Sequence, residues 1–297
     1  MGERFEIAPG AEGLLARHGL TSLSAVFAFQ EGRRLDKPGL EGWRRRLRLT
    51  LDTADGRTRT LYLKRFDRPP LRRQWQRWRE GHTGWSTAGV EWLNARRLAE
   101  AGVPATEAVA FGQDMCGPWE RRSFVLLAEV PGESLERWVP RYLAGDQVDE
   151  PAVAGLPPGP SSQGPPAVAL DAARRRRLLD ATARLVARLH AAGFVHRDLY
   201  LSHLFIDGDS LRLIDLQRVF RPRWRRRRWV VKDLAALHFS APPERIGRFE
   251  RLRFLVRYAR ACGRRFGTAR ALAGPVEAKA RRMARRRPTA AVDCPAS

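Results

Sequence analysis

Cysteine is scarce in this 297-residue chain, and the three present, Cys116, Cys262 and Cys294, are scattered. An odd set without paired or metal-ligand spacing argues against a disulfide framework and a zinc site, and fits a reducing cytoplasm. Lysine is almost missing: of 55 Lys and Arg residues only Lys37, Lys64, Lys232 and Lys279 are lysine. No run of eighteen apolar residues occurs, so no transmembrane helix is expected. The opening Met1-Gly2-Glu3-Arg4-Phe5-Glu6 lacks the basic region and apolar core of a secretory leader. Acidic residues are outnumbered 32 to 55, leaving a net charge of +23. Such a chain should adhere to polyanions such as nucleic acid, anionic lipid or phosphorylated sugar. Its near-exclusive use of arginine fits GC-rich codons equally well, and makes a lysine retained at 64 informative.

What is present begins with strand signals. Ala11 to His18 reads as a short helix ending at Gly19, and Ser24 to Gln30 as a loose strand. Arg45 to Leu51 alternates cleanly, Asp52 to Gly56 turns the chain, and Thr58 to Phe66 runs back with Leu61 and Leu63 on one face. Leu71 to Arg79 places Leu71, Trp75 and Trp78 on one helical face among arginines, the pattern of an interfacial helix on anionic lipid. The alternative is that both Trp pack on the sheet. A helix begins near Glu91 and stops at Gly102. Ala105 to Phe111 and Ser123 to Glu129 read as strands, followed by a connecting Ala128-Glu129-Val130-Pro131-Gly132. Leu135 to Leu143 is a helix. The Pro- and Gly-rich stretch 144–169 reads as a disordered insertion. A long helix follows, with Leu178, Leu179, Thr182, Leu185, Val186 and Leu189 on its buried face. Residues 244–262 form another amphipathic helix using Ile246, Phe249, Leu252, Leu255 and Val256. Arg281 to Pro288 reads as a loose basic tail.

The most informative stretch is Phe194-Val195-His196-Arg197-Asp198-Leu199-Tyr200-Leu201-Ser202-His203, leading into a hairpin turned at Asp207-Gly208 and ending in Ile214-Asp215. Asp198 and Asp215 stand seventeen residues apart. An acid before a hairpin and an acid after it return to the same hairpin end. One carboxylate can then accept a proton from an attacking hydroxyl while the other holds Mg²⁺ on nucleotide phosphates. Protein kinases carry H-R-D-L-x-x-x-N and D-F-G at these places. Here His203 stands where the Asn would be, and Leu216-Gln217 replaces Phe-Gly. Neither a G-x-G-x-x-G loop nor an A-P-E sequence is present; Gly32, Gly39 and Gly42 have the wrong spacing.

His-Arg-Asp-x-Tyr-x-x-His, Ile214-Asp215-Leu216 and Lys232-Asp233-Leu234 together resemble the lipopolysaccharide kinase family (Kdo/WaaP type). Glu91-Trp92, Gly102-Val103-Pro104, Leu189-His190-Ala191-Ala192-Gly193 and Phe239-Ser240 extend the resemblance over roughly residues 60–262. It implies an α+β, protein-kinase-like bilobal fold, with a small antiparallel-sheet lobe over 1–130 and a mainly helical lobe over 131–288, then a loose tail, 289–297. It implies ATP and Mg²⁺ as cofactors. Asp198, Arg197 and His196 are the catalytic candidates. Lys64, Glu91, Glu129 and Val130 are the nucleotide candidates, with Glu80 the competitor to Glu91. Asp215 and His203 are the metal candidates, and Arg218, Arg221 and Arg223 the acceptor candidates. Asp233 is expected to hold the catalytic-loop backbone.

The function implied is phosphoryl transfer from ATP to a heptose or Kdo hydroxyl of the lipopolysaccharide inner core, at the cytoplasmic face of the inner membrane. The partner is an anionic saccharide or glycolipid, with peripheral contact to anionic membrane, and the protein is expected to be a monomer. A kinase of the same fold could act instead on another small molecule or on protein; the lack of A-P-E counts against protein. A nucleic-acid-binding protein driven by charge alone would show steeply salt-dependent binding and no ATP turnover, and no nucleic-acid motif supports it.

Overall fold

A computed structural model describes residues 2–35, 42–142 and 172–286. The insertion at 144–169, the tail beyond 288 and Gly39 lie outside them. The chain divides into two compact units, Met1–Pro131 with Arg212–Phe220, and Gly132–Leu211 with Arg221–Ser297.

The first unit is built on an antiparallel six-stranded sheet. Its strands are β1 (Glu3–Ile7), β2 (Arg33–Arg34), β3 (Arg44–Asp52), β4 (Thr58–Asp67), β5 (Ala108–Cys116) and β6 (Trp119–Ala128), in the order β1-β5-β6-β4-β3-β2. Period-two alternation decides which face each side chain meets. On β3 and β4, Leu47, Leu49, Leu51, Leu61 and Leu63 are buried together, under α1 (Glu12–Arg17) and α2 (Leu23–Ala28), which add Leu15, Leu23 and Val26. Each such side chain contributes about 1.5–3 kcal/mol when fully buried. The other face carries Phe66, Phe111, Val125 and Leu127 against Trp92 of α4 (Thr87–Glu100).

Two expectations are corrected here, and of the two readings left open for Trp75 and Trp78 each holds for one residue. Residues 23–28 are helical rather than a strand, because Ser22 caps them by accepting the Ala25 N–H at 3.1 Å and the Leu23/Val26 spacing suits a helix face. Arg65, on the leucine face of β4, donates to the carbonyls of Val26 and Phe29 at the end of that helix. Burial, with Arg45 nearby, pushes its pKa down to about 10. In α3 (Leu71–Arg79), Trp78 packs rather than faces outward. Its indole donates to the Pro118 carbonyl at 2.9 Å and meets Trp119 edge-on, while Leu71 and Trp75 remain exposed. Arg77 is likewise not a surface cation; it is buried and donates to the carbonyls of His82, Trp85 and Pro118.

The second unit contains β7 (Glu133–Ser134), paired antiparallel with β8 (Leu204–Asp207), then a turn at Gly208-Asp209 into β9 (Ser210–Leu213), whose last two residues belong to the first unit. Its helices are α5 (Leu135–Tyr142), α6 (Ala172–Ala191), α7 (Arg226–Ser240), α8 (Arg248–Ala261) and α9 (Ala269–Ala284). α6 packs on α8, and α9 on α7 and α8. The face expected for α8 is corrected. Phe249 and Leu252 are exposed, and the buried residues are Leu255, Tyr258 and Ala259. The basic stretch from Arg281 is helical as far as Ala284, within α9.

Gly132 opens this unit with φ +85°, and a Cβ there would overlap the backbone carbonyl of Ile206 on β8. Gly193 has φ +95°, but its Cβ would meet only the movable end of the Arg226 side chain. The left-handed conformation alone costs a non-glycine residue roughly 1–2 kcal/mol. Gly193→Ala should therefore lose about that much, and Gly132→Ala about 1–3 kcal/mol more from the rigid overlap. Urea unfolding midpoints of the two variants check the order; equal losses would contradict it.

Candidate active site

In the first unit a buried lysine is held between two carboxylates. Lys64 projects from β4, and its Nζ lies 2.7 Å from Glu91 Oε1 and 3.2 Å from Asp215 Oδ1. The Lys64 side chain is 14% exposed and Glu91 wholly buried. Glu91 rather than Glu80 is thus the partner, as expected. Burial works against the Lys64 charge, but Glu91 and Asp215 more than offset it and hold its pKa above the ordinary lysine value. Burial pushes the Glu91 carboxyl above the usual carboxylate range, although Lys64 restrains it.

Asp215 sits in the left-handed region, at φ 57° and ψ 61°. A non-glycine residue held there costs of order 1–3 kcal/mol, and such strain clusters at functional sites. What holds it is Asn94, a residue the sequence reading did not single out. Its amide donates to the carbonyls of Leu216 at 2.9 Å and Val219 at 2.8 Å. Asn94 follows Glu91 by three positions on the buried face of α4. A polar side chain at that spacing on an otherwise apolar face was the available signal.

Glu129, a nucleotide candidate, has its side chain engaged within the first unit. Its carboxylate accepts from Arg48 Nη2 and the Tyr62 hydroxyl, both at 3.1 Å. Its own N–H donates to the Thr60 carbonyl at 3.1 Å, and Val130 beside it is buried.

The second unit holds the loop with Asp198. Asp233 of α7 is fully buried, and its carboxylate accepts the His196 N–H at 2.6 Å and the Arg197 N–H at 2.8 Å, as the sequence led one to expect. His190 of α6 braces the same carboxylate at 3.3 Å through Nε2, and its Nδ1 lies 2.8 Å from the Tyr258 hydroxyl of α8. Burial pushes the Tyr258 phenol far up, so it stays neutral. The loop is strained: Arg197 has φ 71°, with its guanidinium 5.7 Å over the Trp229 ring. His196 is wholly buried with its ring stacked on His203. His203 Nδ1 lies 2.7 Å from the backbone carbonyl of Asp198. Of the acceptor candidates, Arg218 belongs to the first unit and Arg221 and Arg223 to the second; Arg221 lies 4.3 Å over the Phe194 ring.

The Asp215 carboxylate is a hard oxygen donor of the kind Mg²⁺ takes. Among the described residues no cluster of three or more His, Cys, Asp or Glu could hold a metal ion.

Known proteins resemble the chain over this region. The profile of the lipopolysaccharide kinase (Kdo/WaaP) family matches residues 165–258. The resemblance is to the lipopolysaccharide kinases. The lipopolysaccharide core heptose(I) kinase WaaP of Pseudomonas aeruginosa is 35% identical over 182 residues, 58% of this chain and 59% of the relative. The Escherichia coli K12 protein of the same name is 29% identical over 163 residues, 52% of this chain and 53% of the relative. The chain thus spans between a half and three fifths of the curated relatives it matches. A solved structure described as WaaP in complex with acyl carrier protein aligns over 94% of this chain and 99% of its own, at 27% identity and a TM-score of 0.59. The fold is protein-kinase-like, with an antiparallel sheet lobe and a mainly helical lobe.

The Lys64–Glu91 pair makes a pH prediction. Removing one partner of a buried pair typically costs about 3–5 kcal/mol. In Lys64→Met the remaining Glu91 can escape that cost by taking up a proton, since burial already raises its pKa. A raised folded pKa gives stability that is present below the unfolded value and lost as pH rises through the folded one. The deficit of Lys64→Met relative to wild type should therefore grow as pH rises from about 4, the ordinary carboxylate range, to neutrality. Lys64→Met/Glu91→Gln should lack that growth. Chemical denaturation across this range checks it; a pH-independent deficit in the single variant would refute it.

Proposed function

We propose that this chain is an ATP-dependent kinase of the lipopolysaccharide inner core, transferring the γ-phosphoryl group to a heptose hydroxyl, with a Kdo hydroxyl as the alternative acceptor. One observation carries the reading: a lysine held at 2.7 Å and 3.2 Å between Glu91 and Asp215, the second in a strained left-handed conformation. The family match and the WaaP relatives support it.

In this reading Lys64 is held by Glu91 so that its ammonium reaches the nucleotide phosphates. Asp215 holds Mg²⁺, which when bound neutralises the charge on those phosphates. Asp198 accepts the proton of the sugar hydroxyl as that oxygen attacks phosphorus. Asp233 keeps the Asp198 loop in place through two N–H bonds, and His203 does so through the Asp198 carbonyl. His203 is also the proposed contact to a metal or phosphate. Glu129 and Val130 border the adenine. Arg218, Arg221 and Arg223 supply forked donors suited to carboxylate or phosphate on an anionic acceptor.

Activity should collapse in Asp198→Asn, by roughly 10²–10⁴-fold as for loss of a general base, with nucleotide affinity nearly intact. Lys64→Arg should lose most activity and also weaken ATP binding, because a forked guanidinium does not fit where a compact ammonium sits between two carboxylates. ATP turnover against a panel of core-sugar acceptors, with and without heptose, reads both. Near wild-type rates in Asp198→Asn would overturn its assignment.

In this reading the protein works at the cytoplasmic face of the inner membrane. No helix among the described residues is long and apolar enough to cross it, so docking would be peripheral. The exposed face of α3 offers Leu71 and Trp75 beside Arg72 and Arg79. Each well-placed Arg contributes about 1 kcal/mol near an anionic surface, fading with salt. Replacing Arg72 and Arg79 by Gln and Trp75 by Ser should release the protein from anionic vesicles without changing its melting temperature. Unchanged vesicle binding would remove α3 from the docking surface. The acyl carrier protein held by the solved neighbour is a candidate partner here too, and the +23 charge favours a partner with an acidic surface.

A further inference from the structure

The lysine and the two carboxylates leave one requirement of phosphoryl transfer unmet. Kinases cover the phosphates with a glycine-rich loop, and the sequence has no G-x-G-x-x-G. The strand beside Lys64 carries a different set of donors. On β3 the leucines at 47, 49 and 51 point to one face, so Arg44, Arg46 and Arg48 share the other. That face also holds Lys64, because Arg46 lies directly opposite Lys64 in the β3–β4 register, with Arg48 opposite Tyr62 and Arg44 opposite Phe66.

All three arginines interact within the protein. Arg48 donates to Glu129 at 3.1 Å. Arg44 lies 4.2 Å over the Trp43 ring and 5.9 Å over Phe66. Arg46, between them, lines a cavity of about 440 Å³ together with Asp215, Gln217, Arg218, Arg44 and Arg73. Its charge is close enough to act on both Lys64 and Glu91. The lining carries more guanidinium groups, from Arg44, Arg46, Arg73, Arg77 and Arg218, than carboxylates, from Glu80 and Asp215, so the cavity favours an anion. The anion that Asp215 and Lys64 together call for is a nucleotide polyphosphate.

We propose that Arg46 is a ligand of the nucleotide's β- and γ-phosphates, supplying from a strand side chain the donors that a glycine-rich loop supplies from its backbone. The assignment rests on the kinase reading and adds to it the group that grips the phosphates from the sheet side. A guanidinium fits this task because its planar fork bonds two phosphate oxygens at once. It also stays charged beside Lys64, where a second ammonium would readily give up its proton.

The test is binding of ATP, ADP, AMP and adenosine to the full-length protein, for wild type, Arg46→Gln and Arg46→Lys, by titration calorimetry with Mg²⁺ present. A charge-assisted hydrogen bond is worth about 1.5–3 kcal/mol, which is roughly 10–100-fold in affinity. Arg46→Gln should weaken ATP and ADP by that factor while AMP and adenosine change less than about twofold. Arg46→Lys should recover only part of the loss, since an ammonium is not forked. The parallel loss of adenosine affinity in both variants would make Arg46 a structural residue and overturn the proposal. Unchanged ATP and ADP affinity with a raised KM for the sugar acceptor would overturn it in favour of an acceptor anion in the same cavity. A wild-type protein that binds no nucleotide would reject the kinase reading itself, a result distinct from a wild type that binds ATP and an Arg46→Gln variant that binds it equally well.

Discussion

A carboxylate with no exposed surface cannot stay ionised alone, and this governs the first unit. Glu91 is wholly buried on α4, and the ammonium of Lys64 at 2.7 Å is what makes its charge tolerable. The pair fixes the helix against the sheet at one azimuth, because both groups have to meet at hydrogen-bond distance. Three residues further along the same helix face, Asn94 then falls where it grips the backbone after Asp215. One ion pair thus sets the helix, and the helix sets the strained carboxylate that returns to Lys64. The geometry is closed on itself: lysine, glutamate and aspartate hold one another.

The second unit solves a similar problem by other means. Asp233 is a buried anion with no cationic side chain needed, since two backbone N–H groups at 2.6 Å and 2.8 Å and the imidazole of His190 surround it. Hydrogen bonds to a charged group are about twice as strong as neutral ones, enough to hold Arg197 at positive φ and so fix the course of the chain into Asp198. His190 and Tyr258 tie that anchor to two further helices. The loop is therefore rigid because of a residue thirty-five positions away from Asp198 in sequence, the kind of support a catalytic base requires if its geometry is to be ready before substrate arrives.

Much of this was legible in the sequence, for identifiable reasons. The β3–β4 hairpin was readable because leucine and arginine alternate without interruption, and Lys64 because lysine is almost absent elsewhere. Asp233 was readable because Lys-Asp-Leu follows the hairpin at the family's place. The misreadings share another cause. Residues 24–30 looked like a strand because apolar residues were counted and the Ser22 cap was not. Phe249 and Leu252 were assigned to a core because they are apolar, yet tertiary packing turned α8 onto Leu255 and Tyr258. Asn94 was overlooked because an amide on a buried face reveals its purpose only once the backbone it serves is folded beside it. Periodicity reports which face is apolar; it does not report which backbone groups need donors.

The arginine content bears on the same point. Before the structure, +23 could be read as one large polyanion-binding patch or as codon bias. Several of these arginines instead do the work of backbone donors. Arg65 ends α2, Arg77 gathers the carbonyls of His82, Trp85 and Pro118, and Arg251 gathers those of Ile246, His238 and Ala241. A guanidinium can satisfy three carbonyls in one plane, and it is weakly enough hydrated to be buried while doing so. Composition supplied arginine, and the fold then used it wherever loop carbonyls needed partners away from water. An ammonium has no such reach, but it is compact, and two carboxylates can close on it from different directions. That difference in shape explains why a chain with 55 cations and only four lysines keeps one of them at position 64.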